Sequence, residues 1–399
     1  MSGRSPSDVG ELAKLFFKLG VIGFGGPAAH IAMMEDEVVE RRQWMSRQRF
    51  LDMVGATNLI PGPNSTEMAI HIGHARGGAA GLVVAGAAFI LPAASITLVL
   101  AWLYVRYGTL PQADPILYGI RPVVVAIIFG ALWKLSRKAL KTKLLAVIAV
   151  AVSAAALFGS NEILSLLVGG VIAILLMPLA PSPPTPTRTS ATSNGGGAPT
   201  AGLGVATFAS LKLPAFAAPV AAVVQAAGAS APQLFIYFLT IGSVLYGSGY
   251  VLFAFLEGGL VNEYGWLTQQ QLIDAVAIGQ FTPGPVLSTA TFVGYVVAGP
   301  MGALAATVGI FLPSFVFVSL LARILPWMRS STRLSAFLDG VNASAVALMT
   351  VVTLRLALAA FVSWETVVLG LVAAVMAVRF GVNAAALVVA GAAVGWFLG

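Results

Sequence analysis

Eight residues in one short stretch, NLIPGPNSTE at 58–67, could hold a charged ligand inside an otherwise apolar run: Asn58, Pro61, Gly62, Pro63, Asn64, Ser65, Thr66 and Glu67. Proline removes a backbone donor and clashes with the preceding turn, at about 3 kcal/mol or more in a helix interior. It is favoured, however, at the first position of a helix. Pro63 is therefore expected to open a new half-helix whose first turn presents unpaired N–H groups and roughly half a positive charge. Such an end suits an anion, and Asn64, Ser65 and Thr66 add polar side chains to it. The break recurs as QFTPGPVLS at 280–288, where Gln280, Thr282, Pro283, Gly284 and Pro285 repeat it and Ser288 and Thr289 supply hydroxyls. A plainer reading is that each PGP only kinks a helix for packing. The duplication and the polar flanks on both copies favour a ligand.

Other residues fall around this pair. A charged carboxylate at a membrane-helix centre costs about 2.5–3.5 kcal/mol and would repel an anion. Glu67 is thus expected to be protonated when substrate binds, or to carry a coupling proton; a helix-end carboxylate facing water is the other reading. Thr289 takes its place in the second copy. The clusters around Gly25 and Gly26, and around Gly247, Ser248 and Gly249, read either as backbone amides lining the same cavity or as small residues that let helices pack closely. His30 follows the first cluster and is a candidate cavity residue, whereas His71 and His74 are expected near an interface. Arg76 and Arg121 are candidates for positive charge at a cavity mouth, with Arg76 equally suited to anchoring at an interface. Asp52 and Asp274 match each other and suggest symmetric capping or gating. No metal-ligand spacing and no cofactor motif emerges, and the chain has no cysteine, which excludes disulfides and thiolate chemistry.

The elements that must position these residues are membrane helices. Of 399 residues 58% are hydrophobic and 9% charged, with mean hydropathy +0.92, against about a quarter charged in a soluble domain. Apolar runs such as 80–103, 120–133, 234–256, 301–322 and 343–361 reach or approach the roughly 20 residues that span the hydrocarbon as helix. The alternating segments of an outer-membrane barrel are missing. The expected fold is an all-α, multi-pass membrane protein with lipid as its surroundings. The N-terminal stretch, with Asp8 and Glu11, does not read as a cleaved signal peptide. The net charge of +7 resides in short inter-helix loops, the positive-inside pattern, and gives no reason to expect nucleic acid.

Pro61 and Pro283 are related by an offset of 222 in the numbering, and Gly20/Gly242, Glu35/Glu257, Trp44/Trp266 and Asp52/Asp274 keep that offset. After a one-residue deletion the offset is 221, matching Pro92 to Pro313, Gly119 to Gly340 and Lys134 to Arg355. The chain is read as repeat 1 at 1–177, a linker region at 178–233, and repeat 2 at 234–399. The linker begins as a disordered-type, Pro/Ser/Thr/Gly-rich stretch. It continues into an apolar segment, 203–229, which is either loose or an extra crossing that inverts repeat 2. Charge favours inversion. Arg41, Arg42, Arg47 and Arg49 fill a repeat 1 loop where repeat 2 has Glu257 and Glu263, and the five basic residues at 134–143 face only Arg355. Keeping both basic loops on one side requires the PGP segment to enter and leave on that side, as a re-entrant hairpin bent at Pro61–Pro63. GVIGFGGPAAH at 20–30 is expected to interrupt its helix too.

FGGPAAH, PGP and GHARGG in repeat 1, with GSGYVLFAFLE, GWLTQQQLIDAVAIGQFTPGPVLSTATFVGY and GIFLPSF in repeat 2, together resemble the chromate ion transporter family in its long, two-repeat form. The resemblance covers nearly the whole chain outside the linker. It implies an inner-membrane carrier, not an enzyme, that expels chromate using the membrane's ion gradients. Asn58 and Glu67 stand where relatives often carry Gln, and YGSG stands where FGGG is common. The residues themselves point to a small anion and do not separate chromate from sulfate. Three alternatives are a carrier for sulfate or another small anion, a structural membrane protein and a polytopic membrane enzyme. An enzyme of that kind usually needs clustered acids for Mg²⁺, and EDEVVE at 35–40 has only Glu257 as a repeat partner. A second copy of the chain, forming a homodimer, is compatible with all of these.

Overall fold

The computed structural model describes residues 6–107, 114–176, 229–246 and 249–398. The expected linker and most of the apolar segment at 203–229 lie outside the described residues, as do Gly247 and Ser248. Every described element is helical. Repeat 1 comprises α1 (Pro6–Ile22), α2 (Gly26–Glu35), a π-helical turn (Asp36–Arg41), α3 (Arg47–Thr57), α4 (Asn64–Tyr107), α5 (Asp114–Ala139), α6 (Lys143–Leu157) and α7 (Glu162–Leu176). Repeat 2 comprises α8 (Ala231–Val244), a 3-10 turn (Gly249–Val251), α9 (Leu252–Phe255), a π-helical turn (Leu256–Glu263), α10 (Gln269–Phe281), a 3-10 turn (Val286–Ser288), α11 (Thr289–Ser330), α12 (Thr332–Ala360), α13 (Trp364–Arg379) and α14 (Ala384–Leu398). Boundaries correspond at the sequence offsets: α7 maps onto α14, α6 onto α13, and one π-helical turn onto the other.

Among the described residues four helices are long and apolar enough to cross a bilayer: Asn64–Tyr107, Asp114–Ala139, Val286–Leu321 and Thr332–Ala360. Two of them are not single rods. α4 leaves helical geometry at Gly78 (φ 61°, ψ −145°) and α11 at Gly299 (φ 64°, ψ −156°), and these glycines are counterparts in the two repeats. A positive φ of this kind is open to glycine at little cost. The chain folds back there. A side chain on Gly73 would collide with the carbonyl of Gly81 and the methyl of Ala85, which in a straight helix would lie well beyond reach. Each long element is thus a helical hairpin whose first arm starts just after a PGP motif.

The repeats interlock. α4 packs against α11, and α5 against α12, at the centre. The last two helices of each repeat then pack on the other repeat's fifth helix: α6 and α7 on α12, α13 and α14 on α5. Gly119 of α5 sits against Gly391 and Gly395 of α14, and its counterpart Gly340 sits against Gly169 and Gly170 of α7. Small residues let backbones approach this closely in a membrane, where lipid offers no hydrophobic drive for association.

Candidate functional site

Both PGP turns are buried, and each is anchored to the other repeat. Gly62 N–H donates to the carbonyl of Leu245 at 2.7 Å, and Gly284 N–H donates to the carbonyl of Gly23 at 2.7 Å. Gly23 follows the end of α1, and Leu245 caps α8. The helix beginning at residue 6 therefore stops at Ile22 and restarts at Gly26, as the glycine cluster led us to expect. A free helix end at membrane depth would leave carbonyls without partners. Here the PGP turn of the opposite repeat supplies a donor. His30, 1% exposed, gives Gly23 a second one through Nε2 at 2.9 Å and stands edge-on to Phe89. It thus supports the break from behind and does not line the cavity described next.

In repeat 1 the two helix starts open onto one cavity of about 410 Å³. Gly25, Pro27 and Ala28 bring the start of α2 to it. Asn58 and Asn64 bring the edges of the PGP turn, and Lys134 and Lys138 of α5, Tyr250 of repeat 2 and Asn383 complete its polar lining. Gly25 caps α2 in a left-handed conformation (φ 104°) and no side chain caps the helix's first donors. Asn64 Nδ2 donates to Asn58 Oδ1 at 2.5 Å, which pins the turn's two edges together and leaves the Asn58 amide nitrogen for a ligand. Gly26 borders the Tyr250 hydroxyl, which in turn reaches Gln280 Oε1 at 3.5 Å. Among the described residues the lining combines two helix starts, side-chain amides, a phenol and two ammonium groups, with no acid. That is chemistry for an anion.

Behind the PGP turn the side chains point into protein. Ser65 is 1% exposed, and Thr66 and Glu67 are fully buried. Neither oxygen of Glu67, nor the hydroxyls of Thr66 and Ser314, has a hydrogen-bond partner among the described residues. A side chain on Gly62 would run into Glu67 and into Ser314, the latter from α11. At the repeat 2 turn the matching place holds the methyl of Ala93, 2.8 Å from where a side chain on Gly284 would begin. Thr289, the counterpart of Glu67, satisfies itself on the Val286 carbonyl at 2.8 Å. Pro283, Pro285, Ser288 and Gly249 are likewise buried, and Thr282 bonds back to Ile278. The repeat 2 break therefore does not reach the cavity except through Tyr250.

The two arginines expected at a cavity mouth are compensated. Arg76 donates to Glu11 at 3.0 Å and stacks over Trp44 at 4.2 Å. It belongs to a cluster in which Arg42 bridges Glu11 and Glu37 and Lys18 reaches Glu37 at 2.8 Å. The Lys18 hydrogen bond, followed by Arg42, holds the Glu37 carboxyl below the ordinary carboxylate range. Arg121 of α5 reaches Asp274 of α10 at 3.2 Å, and Tyr104 donates to the same carboxylate at 2.9 Å. Asp274 is 1% exposed, so this contact is a buried tie between repeats. Its counterpart Asp52 is exposed. In the sequence Lys134 and Lys138 read only as topology signals; their spacing of four residues, one face of a helix, is the clue to a shared role.

The chromate transporter family model matches residues 10–174 and 232–396 of the chain. A chromate transport protein from Cupriavidus metallidurans is 32% identical over 96% of this chain and 91% of its own length. A probable chromate transport protein from Synechococcus elongatus is 31% identical over 93% of the chain and 90% of its own length. A chromate transport protein from Pseudomonas aeruginosa is 33% identical over 88% of the chain and 82% of its own length. No solved structure matches.

Proposed function

We propose that this chain, which belongs to the chromate transporter family, is a secondary-active carrier that binds chromate at the repeat 1 break and exports it across the inner membrane. Family members are transport proteins, so an enzymatic reading falls away. The observation that carries the binding site is the convergence of two helix starts, Asn58 and two lysines on one cavity of about 410 Å³ whose described lining holds no acid. A tetrahedral dianion presents four acceptor oxygens to such donors. Each charge-assisted bond is roughly twice as strong as a neutral one.

Inversion of the two repeats gives the mechanism. Paired interruptions at matching places are the mark of carriers whose halves rock around a midplane site. The asymmetry between buried Asp274 and exposed Asp52 fits a carrier closed on one side and open on the other. In the opposite-facing state the repeat 2 break, with Gln280, Ser288 and Thr289, takes the place that Asn58 and Asn64 hold here. Both basic loops then lie in the cytoplasm, with the PGP segment re-entrant, so the cavity loads from inside and the direction is export. Glu67 carries the coupling proton: a neutral carboxyl beside Gly62 leaves the anion unopposed, and its ionisation helps release the anion.

A second reading, a carrier for sulfate or another small oxyanion, is favoured by the same lining, since N–H donors and ammonium groups recognise charge and shape without distinguishing the central atom. Competition of sulfate and molybdate against chromate for uptake into inverted vesicles separates the two: chromate selectivity supports the first, and sulfate displacing chromate at equal concentration supports the second.

A further inference from the structure

The free charge of the cavity traces to a few positions that differ between the repeats. In repeat 2, Arg355, the counterpart of Lys134, lies 3.6 Å from Glu257 and donates to the Ala156 carbonyl at 3.3 Å. Ala359 stands where repeat 1 has Lys138. Glu257 is only 2% exposed; Gln269 at 3.4 Å from it is neutral, and Glu162, which stands close enough to interact with both Glu257 and Arg355, is a like charge. Arg355 is therefore its one cationic partner among the described residues. In repeat 1 the acid at the matching place is Glu35, and position 47, the counterpart of Gln269, is arginine. Arg47 takes Glu35 at 2.9 Å. Lys134 and Lys138 have no acidic partner among the described residues. Glu35 lies one helical turn beyond Ile31, a residue of the cavity wall, and so on the cavity face of α2. Two like charges four residues apart on a helix disfavour each other, and here both line the cavity.

We propose that Lys134 and Lys138 form a loading subsite for a small oxyanion dianion at the cavity mouth, and that Arg47 keeps it active by occupying Glu35. Repeat 2 is the same device with the acid released onto the cation and therefore silent. This rests on the anion-carrier reading above. It adds the residues that capture the anion before it reaches the broken helices, and a charge pair that decides whether they can.

The test uses the full chain in inverted vesicles with labelled chromate, across a series of salt concentrations. Lys134→Gln with Lys138→Gln raises the half-saturating concentration about tenfold through lost electrostatic capture, leaves the maximal rate within about twofold and flattens its salt dependence. Lys134→Arg with Lys138→Arg preserves all three. Arg47→Gln, which touches neither lysine, raises half-saturation in the same way by releasing Glu35 onto Lys134. Adding Glu35→Gln to Arg47→Gln restores it, an outcome that a merely structural role for Arg47 does not give. Lys141→Gln, at a lysine paired with Asp339, changes nothing. Saturable transport with half-saturation unmoved by the double lysine substitution overturns the loading subsite and leaves the carrier reading intact. If the two lysines matter but Glu35→Gln fails to rescue Arg47→Gln, the role given to Arg47 is wrong. Absence of any saturable oxyanion uptake by the unaltered chain overturns both readings.

Discussion

Gly284 donates its N–H to the carbonyl of Gly23 at 2.7 Å, and at the equivalent place in repeat 1 Gly62 does the same for Leu245. Each broken helix is therefore finished by the PGP turn of the opposite repeat. Both donors sit in conformations with positive φ, 93° at Gly284 and 137° at Gly62, which few other residues adopt. The break in repeat 1 and the break in repeat 2 hold one another in place, and the helix starts that face the cavity depend on both.

Replacing Pro61–Gly62–Pro63 or Pro283–Gly284–Pro285 with alanines should abolish export while leaving membrane insertion intact. Gly62→Ala alone should approach the same result, because its new methyl meets Glu67 and Ser314 and the positive φ adds about 1–3 kcal/mol of strain. Normal export by an inserted triple-alanine protein would remove the PGP turns from the mechanism.

Glu67→Gln should alter the pH dependence of export. The carboxyl is fully buried and without a hydrogen-bond partner among the described residues, so a charge there is uncompensated and costly, and the substitution removes that titration while keeping the side chain's size. Transport rates measured across pH 5 to 8 on both proteins decide the matter; superimposable profiles would leave Glu67 with no part in coupling.

The Arg121–Asp274 tie should be worth most when broken on one side. Asp274→Asn strands Arg121, and losing one partner of a buried pair costs about 3–5 kcal/mol. We expect a lowered melting temperature in detergent, with much of the loss recovered when Arg121→Met is added. Equal stability of Asp274→Asn and the unaltered chain would show that the tie is not buried in the membrane-embedded protein.

Topology offers an independent check on inversion. Reporter fusions at residue 45 and residue 265, equivalent loops of the two repeats, should report opposite sides of the membrane. Both on one side would require parallel repeats and a different transport cycle.

Much of this was legible in the sequence, because proline and glycine state backbone geometry directly. PGP at 61–63 and 283–285 and the cluster at Gly23–Gly26 mark interruptions wherever the rest of the chain lies. The helical hairpins at Gly78 and Gly299 were not legible. GHARGG and VVAGPMG look like ordinary loop or packing glycines, and it is the backbone at Gly78 and Gly299 and the approach of Gly73 to Gly81 that reveal the reversal. Nor could periodicity place α6 and α7 on α12, since that packing joins elements of different repeats through Gly170 and Gly340. Arg121 read as a free charge because its partner, Asp274, lies in the other repeat. The cavity is one-sided for a related reason. The two halves share a sequence pattern but differ in what surrounds each break, and a pattern common to both does not encode that difference.

The central claim, that the cavity between the repeat 1 breaks carries a small oxyanion across the membrane, is tested most directly by uptake into inverted vesicles. A panel of chromate, sulfate and molybdate should be run with and without an imposed proton gradient. The account predicts saturable chromate uptake that responds to the gradient and is lost with Pro61–Gly62–Pro63→alanine. Uptake that is absent for every oxyanion, or that survives loss of the PGP turn unchanged, would contradict it.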